Sequence, residues 1–83
     1  MIVAGNVPIM ARSLVPPWRR VADDLRRRIE SGEFPPGSML PSLASLAEEY
    51  RVGRTTARKA VGALREAGIV ETVRGWGMFV SQR

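Results

Sequence analysis

Apolar side chains recur at helical spacing in the first third of the chain. One stripe, at intervals of three and four residues, consists of Trp18, Val21, Ala22, Leu25 and Ile29. Side chains at these intervals share one face of a helix. Pro17 suits the first helical position, because an N–H there would have no acceptor within the helix. Gly32 suits the position just after the helix C-terminus. The pattern predicts a helix from Pro17 to about Ser31.

Two further helices are predicted after a turn over residues 32–37, in which Phe34 is expected to reach the core. The shorter helix has Ser42 as its N-cap and an apolar stripe formed by Leu43, Leu46, Ala47 and Tyr50. A turn over residues 51–54 follows, where we expect Gly53 to supply backbone freedom. The longer helix runs from about Thr55 to Ala67 with a stripe formed by Ala57, Ala60, Val61 and Leu64. Gly68 is its predicted stop signal.

The last segment has the pattern of a β-hairpin. Residues 69–73 and 78–81 are rich in β-branched and aromatic side chains, and they bracket the sequence Arg-Gly-Trp-Gly of residues 74–77. Such runs on either side of a glycine-rich tip predict two antiparallel strands. The expected fold is therefore mainly α with a small antiparallel β-hairpin. This order of elements, over residues 16–83, is that of a winged helix-turn-helix.

The first fifteen residues are apolar but do not resemble a signal peptide. No basic region precedes the apolar stretch, and Pro8 interrupts it. No run of about 18 uninterrupted apolar residues occurs that would predict a membrane span. We expect a cytoplasmic protein with no membrane association. Residues 1–15 are interpreted either as a poorly ordered tail or as an arm that becomes ordered on a neighbouring subunit.

The composition excludes most catalytic chemistry. The 83 residues include no cysteine and no histidine. Disulfides, Cys/His zinc sites, thiol nucleophiles and imidazole acid/base catalysis are thereby excluded. Ser42, Thr55 and Ser81 have no plausible base to activate them as nucleophiles. We expect no catalytic residue, no metal and no cofactor, and hence no enzyme.

The net charge of +5 lies entirely in the C-terminal third. Residues 1–50 carry six arginines against six acidic residues, whereas residues 51–83 carry seven cations against two acidic residues. A concentrated basic region of this kind favours a polyanionic partner. Twelve of the thirteen cations are arginine, whose planar fork suits phosphates and guanine edges. The codon usage of a GC-rich genome would also explain the excess of arginine over lysine, but it would not explain the asymmetry.

The predicted elements and the charge together favour binding to double-stranded DNA. A short helix that braces a longer one lets the longer one enter a major groove ~12 Å wide. The candidate DNA-binding residues are Arg54, Thr55, Thr56, Arg58 and Lys59 on helix 55–67, and Arg74, Gly75, Trp76 and Gly77 in the 69–81 wing. Arg74 is expected to contact phosphate. Lys59 and Arg65 could each contact a phosphate. Arg65 could instead pair with a nearby acid. Trp76 could stack on a sugar or a side chain, contact a protein, or fold back onto the hairpin.

Three motifs carry a resemblance to a known family. They are Pro-Pro-Gly-x-x-Leu-Pro-Ser at residues 35–42, Arg-x-Thr-x-Arg-x-Ala at residues 54–60, and Gly-x-Gly-x-Phe-Val at residues 75–80. With the apolar positions between them, residues 17–80 resemble the N-terminal DNA-binding domain of GntR-family bacterial transcription regulators. The resemblance implies that Arg54, Thr55, Thr56 and Arg58 contact operator bases and phosphates. It also implies that the wing tip, residues 75–77, touches the adjacent minor groove.

Four features depart from the family pattern. Leu43 and Ala44 stand where Glu-Arg is common, so one arginine contact to DNA is expected to be missing. Gly53 replaces a common serine that could cap the helix and bind phosphate, and Trp76 occupies a wing position that is often polar or basic. The family normally continues into a larger ligand-binding and dimerising domain, whereas this sequence stops at Arg83. A separated DNA-binding domain and a natural regulator without an effector domain both remain open.

Two other functions remain as alternatives to a sequence-specific regulator. A winged helix can serve as a protein-interaction module, although that role does not require the charge asymmetry. A nonspecific nucleic-acid binder would have a more diffuse basic face. The preferred interpretation is a transcription repressor that binds a palindromic operator as a homodimer, because one helix-turn-helix reads too few base pairs for a bacterial genome. No effector site is visible in this sequence.

Overall fold

A computed structural model describes residues 15–82 of the chain. It contains, in order, the helices α1 (Pro17–Glu30), α2 (Leu43–Tyr50) and α3 (Arg54–Glu66), and the strands β1 (Val70–Val73) and β2 (Gly77–Val80). The predicted fold is confirmed, with helix and strand ends within one residue of the predicted ones. The predicted tail, residues 1–15, lies outside the described residues except for Val15.

The helix ends follow local rules. Pro17 is the first residue of α1, as predicted. The Ser42 hydroxyl caps α2 by accepting a hydrogen bond from the Ser45 backbone N–H at 3.1 Å. After α3, Gly68 has a φ of +78°. The N–H groups of Gly68 and Ile69 donate to the carbonyls of Arg65 and Leu64 at 3.0 and 2.9 Å. This Schellman-type ending turns the chain directly into β1.

The turn between α2 and α3 differs from the prediction. Gly53 has an extended backbone, with φ −74° and ψ 162°, and forms the N-cap of α3. The left-handed residue of the turn is Arg51, with φ 57° and ψ 49°. This left-handed conformation is stabilised by the next residue, because the Val52 backbone N–H donates a hydrogen bond to the Ala47 carbonyl at 2.9 Å. The expectation that Gly53 supplies the conformational freedom was wrong, since the chain reverses two residues earlier.

The hairpin gains a third strand segment that the sequence pattern did not predict. β1 and β2 pair antiparallel, with Val70 opposite Val80 and Val73 opposite Gly77. On the other edge of β2, the Leu40 N–H donates to the Met78 carbonyl at 2.8 Å, and the Val80 N–H donates to the Ser38 carbonyl at 2.9 Å. The segment before α2 is thereby attached to the wing, which fixes the wing relative to the helices.

The core lies where the three helices meet the inner face of the hairpin. Leu25, Leu46 and Val70 are its largest fully buried side chains. The remaining buried residues are Val21, Ala22, Leu40, Ala47, Ala57, Ala60, Val61, Leu64, Met78 and Val80. The half-buried residues Trp18, Phe34 and Tyr50 pack against this core.

Arg28 joins α1, the following turn and α2. Its guanidinium donates to Glu33 at 2.7 Å, to Glu49 at 2.8 Å and to the Tyr50 hydroxyl at 2.9 Å. It also lies over the Phe34 ring, 4.7 Å from the centroid. The Arg28 side chain is only 12% exposed, so this cluster of hydrogen bonds fixes the angle between the first two helices.

Tyr50 and Asp24 complete the Arg28 cluster. The Tyr50 hydroxyl donates to the Asp24 carboxylate at 2.6 Å, and Arg27 donates to the same group at 2.6 Å. The bond from Tyr50, followed by that from Arg27, holds the pKa of Asp24 below its ordinary value of 3.8. Burial is the largest cause that raises the pKa of Tyr50 to about 12, and its bond to Asp24 adds to the rise.

Candidate nucleic-acid interface

Three arginines line one edge of α3. Arg54, Arg58 and Arg65 are spaced by four and seven residues, which places them within about 40° of one another around the helix axis. All three are exposed. Within residues 15–82, neither Arg54 nor Arg58 has an ion-pair or hydrogen-bond partner for its side chain. Their guanidinium groups are available to an external anion.

The N-terminus of α3 adds backbone donors beside this edge. The helix begins at Arg54 after Gly53, and no side chain caps it. Its first N–H groups therefore stay available, and they are favourable partners for a phosphate. Thr55 is exposed beside them, whereas Thr56 is half-buried. Of the two threonines, Thr55 is the more accessible to DNA.

Lys59 lies about 100° around the helix axis from Arg58, on the side of α3 that faces the start of α1. Its ammonium sits over the Trp18 ring, 5.3 Å from the centroid. This cation–π contact joins α3 to the start of α1. Lys59 still borders a common pocket with Arg58 and Trp18, so it lies beside the arginine edge, next to the start of α1.

The wing tip projects an aromatic side chain into solvent. Trp76 is 74% exposed, so it is not folded back onto the hairpin, and that alternative was wrong. The neighbouring glycines Gly75 and Gly77 have φ values of +83° and +132°, which residues with a Cβ rarely adopt. Arg74 precedes them and is exposed. Within residues 15–82 its side chain has no hydrogen-bond or ion-pair partner.

A hollow of about 470 Å³ separates the arginine edge from the wing. Its lining consists of Met39, Leu40, Ser42, Leu43, Arg58, Val61, Arg65, Thr72, Trp76, Gly77 and Met78. Arg65 reaches across it to donate to the Thr72 hydroxyl at 3.4 Å. Pairing with an acid was one of two alternatives for Arg65. Among the described residues Arg65 bonds to this neutral hydroxyl and to no acid.

Met39 is a residue of this region that the sequence interpretation missed. It is 56% exposed, and it stands opposite Phe79 in the added strand segment. No periodicity marked it, since it lies in the irregular stretch between the Pro-Pro-Gly turn and α2. Its placement depends on the pairing of that stretch with β2.

The described residues hold neither a cluster of acidic side chains suited to a metal ion nor a helix long and apolar enough to span a bilayer. The features that the structure does bring together are a free helix N-terminus, an edge of arginines and a projecting wing. They define a winged helix-turn-helix with its basic surface on the third helix and the wing.

Comparison with known proteins identifies the family. Residues 17–80 match the model of the bacterial regulatory proteins of the gntR family. The mannosyl-D-glycerate transport/metabolism system repressor MngR of Escherichia coli K12 is 39% identical over 67 residues, which are 81% of this chain and 28% of MngR. The HTH-type transcriptional repressor NagR of Bacillus subtilis 168 is 32% identical over 74 residues, 89% of this chain and 30% of NagR.

Solved structures show the same fold. The AraR DNA-binding domain, crystallised with operator ORR3, matches with a TM-score of 0.78 and 31% identity over 82% of each chain. This chain belongs to the GntR family, and residues 17–80 are its helix-turn-helix DNA-binding domain. It spans less than a third of the length of MngR or NagR.

Proposed function

We propose that residues 16–83 bind double-stranded DNA sequence-specifically and serve a transcription repressor. In this proposal α3 enters the major groove and the wing contacts the minor groove or the backbone beside it. The observation that carries it is the pair of exposed, unpaired arginines, Arg54 and Arg58, beside the uncapped N-terminus of α3. The repressor role is inferred from MngR and NagR, both named as repressors.

Each predicted site residue has a role in this proposal. Arg54 and Arg58 read base edges or phosphates, since both are exposed and Arg54 begins α3. Thr55 and Thr56 hydrogen-bond DNA at the start of α3, Thr55 from an exposed position and Thr56 from a half-buried one. Lys59 approaches the phosphates of one strand from the α1 side of the helix. Arg74 binds phosphate, and Gly75, Trp76 and Gly77 form the part of the wing that reaches the groove.

The experiment combines selection of binding sites with a matched pair of charge changes. Selection from a pool of random duplexes defines the preferred site, and fluorescence anisotropy measures the affinity for that site and for random duplex. Arg54→Ala or Arg58→Ala should each weaken specific binding by ~1 to 3 kcal/mol. Arg26→Ala removes the same charge from α1, where Arg26 pairs with Glu30 at 3.2 Å, and should leave DNA affinity nearly unchanged.

Three results would count against the proposal. If no sequence is enriched, the chain is a nonspecific nucleic-acid binder. If duplex DNA does not bind at all, the fold serves as a protein-interaction module. Equal losses for Arg26→Ala and Arg58→Ala would show that only the total charge matters. No catalytic role is proposed, because cysteine and histidine are absent from the whole sequence.

A homodimer on a palindromic operator forms the second part of the proposal. Two half-sites ~34 Å apart on one face of the duplex provide the selectivity that a single α3 lacks. The isolated chain should therefore bind a paired site with positive cooperativity and associate weakly, if at all, in free solution. Sedimentation of the free protein measures its association in solution. Titrations of single and paired half-sites measure the cooperativity of DNA binding. Equal affinity per half-site would contradict the dimer.

A further inference from the structure

The hollow between α3 and the wing has the chemistry of a ligand site. Its floor is formed by the buried side chains of Leu40, Val61 and Met78. Its walls include Met39 and Trp76, which are 56% and 74% exposed. Two large apolar side chains left in water around an apolar floor form a surface that gains free energy when an apolar body covers it.

The charge around the hollow is of one sign. Arg58 and Arg65 are its only ionisable lining residues, and no acidic side chain borders it. Arg58 has no side-chain partner within residues 15–82, and Arg65 makes a single bond, at 3.4 Å, to the neutral hydroxyl of Thr72. Most guanidinium N–H groups at this border are therefore free to bind a carboxylate, sulfonate or phosphate.

Two other occupants fit this chemistry less well. Residues 1–14 are apolar, but Arg12 is their only charged side chain, so the two arginines would repel this segment. A DNA backbone would satisfy the arginines, but its polar sugars and phosphates would find no hydrogen-bond donor on a floor of leucine, valine and methionine. An organic anion with an apolar body satisfies both parts of the hollow.

We infer that this hollow binds a small organic anion with an aromatic or branched aliphatic body, and that the bound anion competes with DNA for Arg58. The apolar body covers Met39 and Trp76, and the anionic group lies between Arg58 and Arg65. The binding site itself stands on the geometry of the hollow alone. Only the competition rests on the proposed function.

The first test compares two probes that differ in charge. 8-Anilinonaphthalene-1-sulfonate has an aromatic body and a sulfonate, and N-phenyl-1-naphthylamine has the same rings without the charge. Fluorescence titration of the folded chain should show tighter binding of the sulfonate. Arg58→Gln and Arg65→Gln should each weaken its binding about tenfold and leave the neutral probe nearly unaffected. Arg26→Gln, a change on α1, should alter neither probe.

The location is tested by the two indole signals of the chain. Trp76 borders the hollow, whereas Trp18 is not among its lining residues and lies against Lys59. In ¹H–¹⁵N correlation spectra the sulfonate should shift the Trp76 indole signal and leave that of Trp18 in place. The spectra also show whether each variant is folded. Equal shifts of both indoles, or equal binding of the two probes, would overturn the inference.

The competition is tested separately. Duplex DNA should displace the sulfonate from the wild-type chain, and saturating sulfonate should weaken DNA binding in anisotropy titrations. Simultaneous binding of both would overturn the competition while leaving the site intact. A chain that binds the sulfonate as expected but binds no DNA would refute the proposed function alone. If sulfonate affinity falls as protein concentration rises, a second copy of the chain covers the hollow, and the inference is wrong.

Discussion

The two halves of this small domain use arginine in opposite ways. In residues 17–50, all four observed ion pairs join arginines of α1 to acidic residues of α1, the turn and α2. In residues 51–82, no arginine or lysine is ion-paired to an acid. Arg26, Arg27 and Arg28 of the first half are paired within the fold, whereas the arginines of the second half remain available to a partner.

The comparison explains how so few residues support both a stable fold and a binding surface. Like charges along α3 repel one another and add nothing to stability. Arg28, by contrast, bonds to three side chains and stacks on an aromatic ring, so a single arginine fixes two helices and a turn. The rigid half holds α3 in place, and α3 in turn presents its unpaired charges.

The largest expected effect comes from removing Arg28. Arg28→Ala should lower the free energy of unfolding by about 2 to 3 kcal/mol, because Glu33, Glu49 and Tyr50 lose a shared partner that is largely buried. The loss stays below that of a fully buried pair because both glutamates are about half exposed. Urea unfolding monitored by circular dichroism measures it. Arg58→Ala, the same change in the other half, should alter stability by less than about 0.5 kcal/mol. Similar losses for the two variants would remove the distinction between the halves.

A second prediction concerns Arg74 in the wing. If Arg74 binds phosphate, Arg74→Ala should weaken specific and random DNA alike, by about fivefold, and reduce the slope of log K against log salt by ~0.9. Anisotropy titrations at several salt concentrations give both quantities. Arg26→Ala serves again as the control of equal charge. A loss confined to the specific site, with an unchanged slope, would assign Arg74 to a base instead.

The Tyr50 hydroxyl offers a third test, at alkaline pH. Its pKa is raised from 10.0 in the unfolded chain to about 12 in the folded protein. The stability that it contributes is fully present below pH 10 and is lost as the pH rises towards 12, with a loss of about 1 kcal/mol by pH 11. Tyr50→Phe should lack this loss. Since Tyr50 is the only tyrosine, phenolate absorbance in native and urea-unfolded protein reports both pKa values. A folded pKa near 10 would show that burial and the hydrogen bond to Asp24 together do not stabilise the neutral phenol.

The smallest expected effect is a gain at Gly53. The residue has φ −74°, and a Cβ there would meet nothing within 4 Å. Gly53→Ser should supply the missing cap of α3 and stabilise the protein by a few tenths of a kcal/mol. The serine should also strengthen DNA binding if phosphate lies at this terminus. Gly53→Ala adds the Cβ without the hydroxyl and should slightly destabilise the protein. Equal effects of the two substitutions would exclude capping as the cause.

Local sequence patterns determined most of the fold. The apolar stripes placed α1, α2 and α3 to within a residue of their observed ends, since helical periodicity depends only on neighbours three and four positions apart. Pro17, Ser42 and Gly68 marked helix ends for equally local reasons. The charge asymmetry and the three motifs were likewise readable without a structure, and they pointed to the family that the comparisons identify.

The tertiary structure decided what depends on contacts between distant residues. Met39 joins the wing because its segment pairs with β2, about forty positions further along the chain. Arg28 is nearly buried because α2 and the turn pack around it, although its place on α1 resembles that of its exposed neighbours. The same is true of the contact between Lys59 and the Trp18 ring, and of the hollow, which exists only where α2, α3 and the wing meet. Periodicity cannot predict such features, because it describes each element before the elements are packed together.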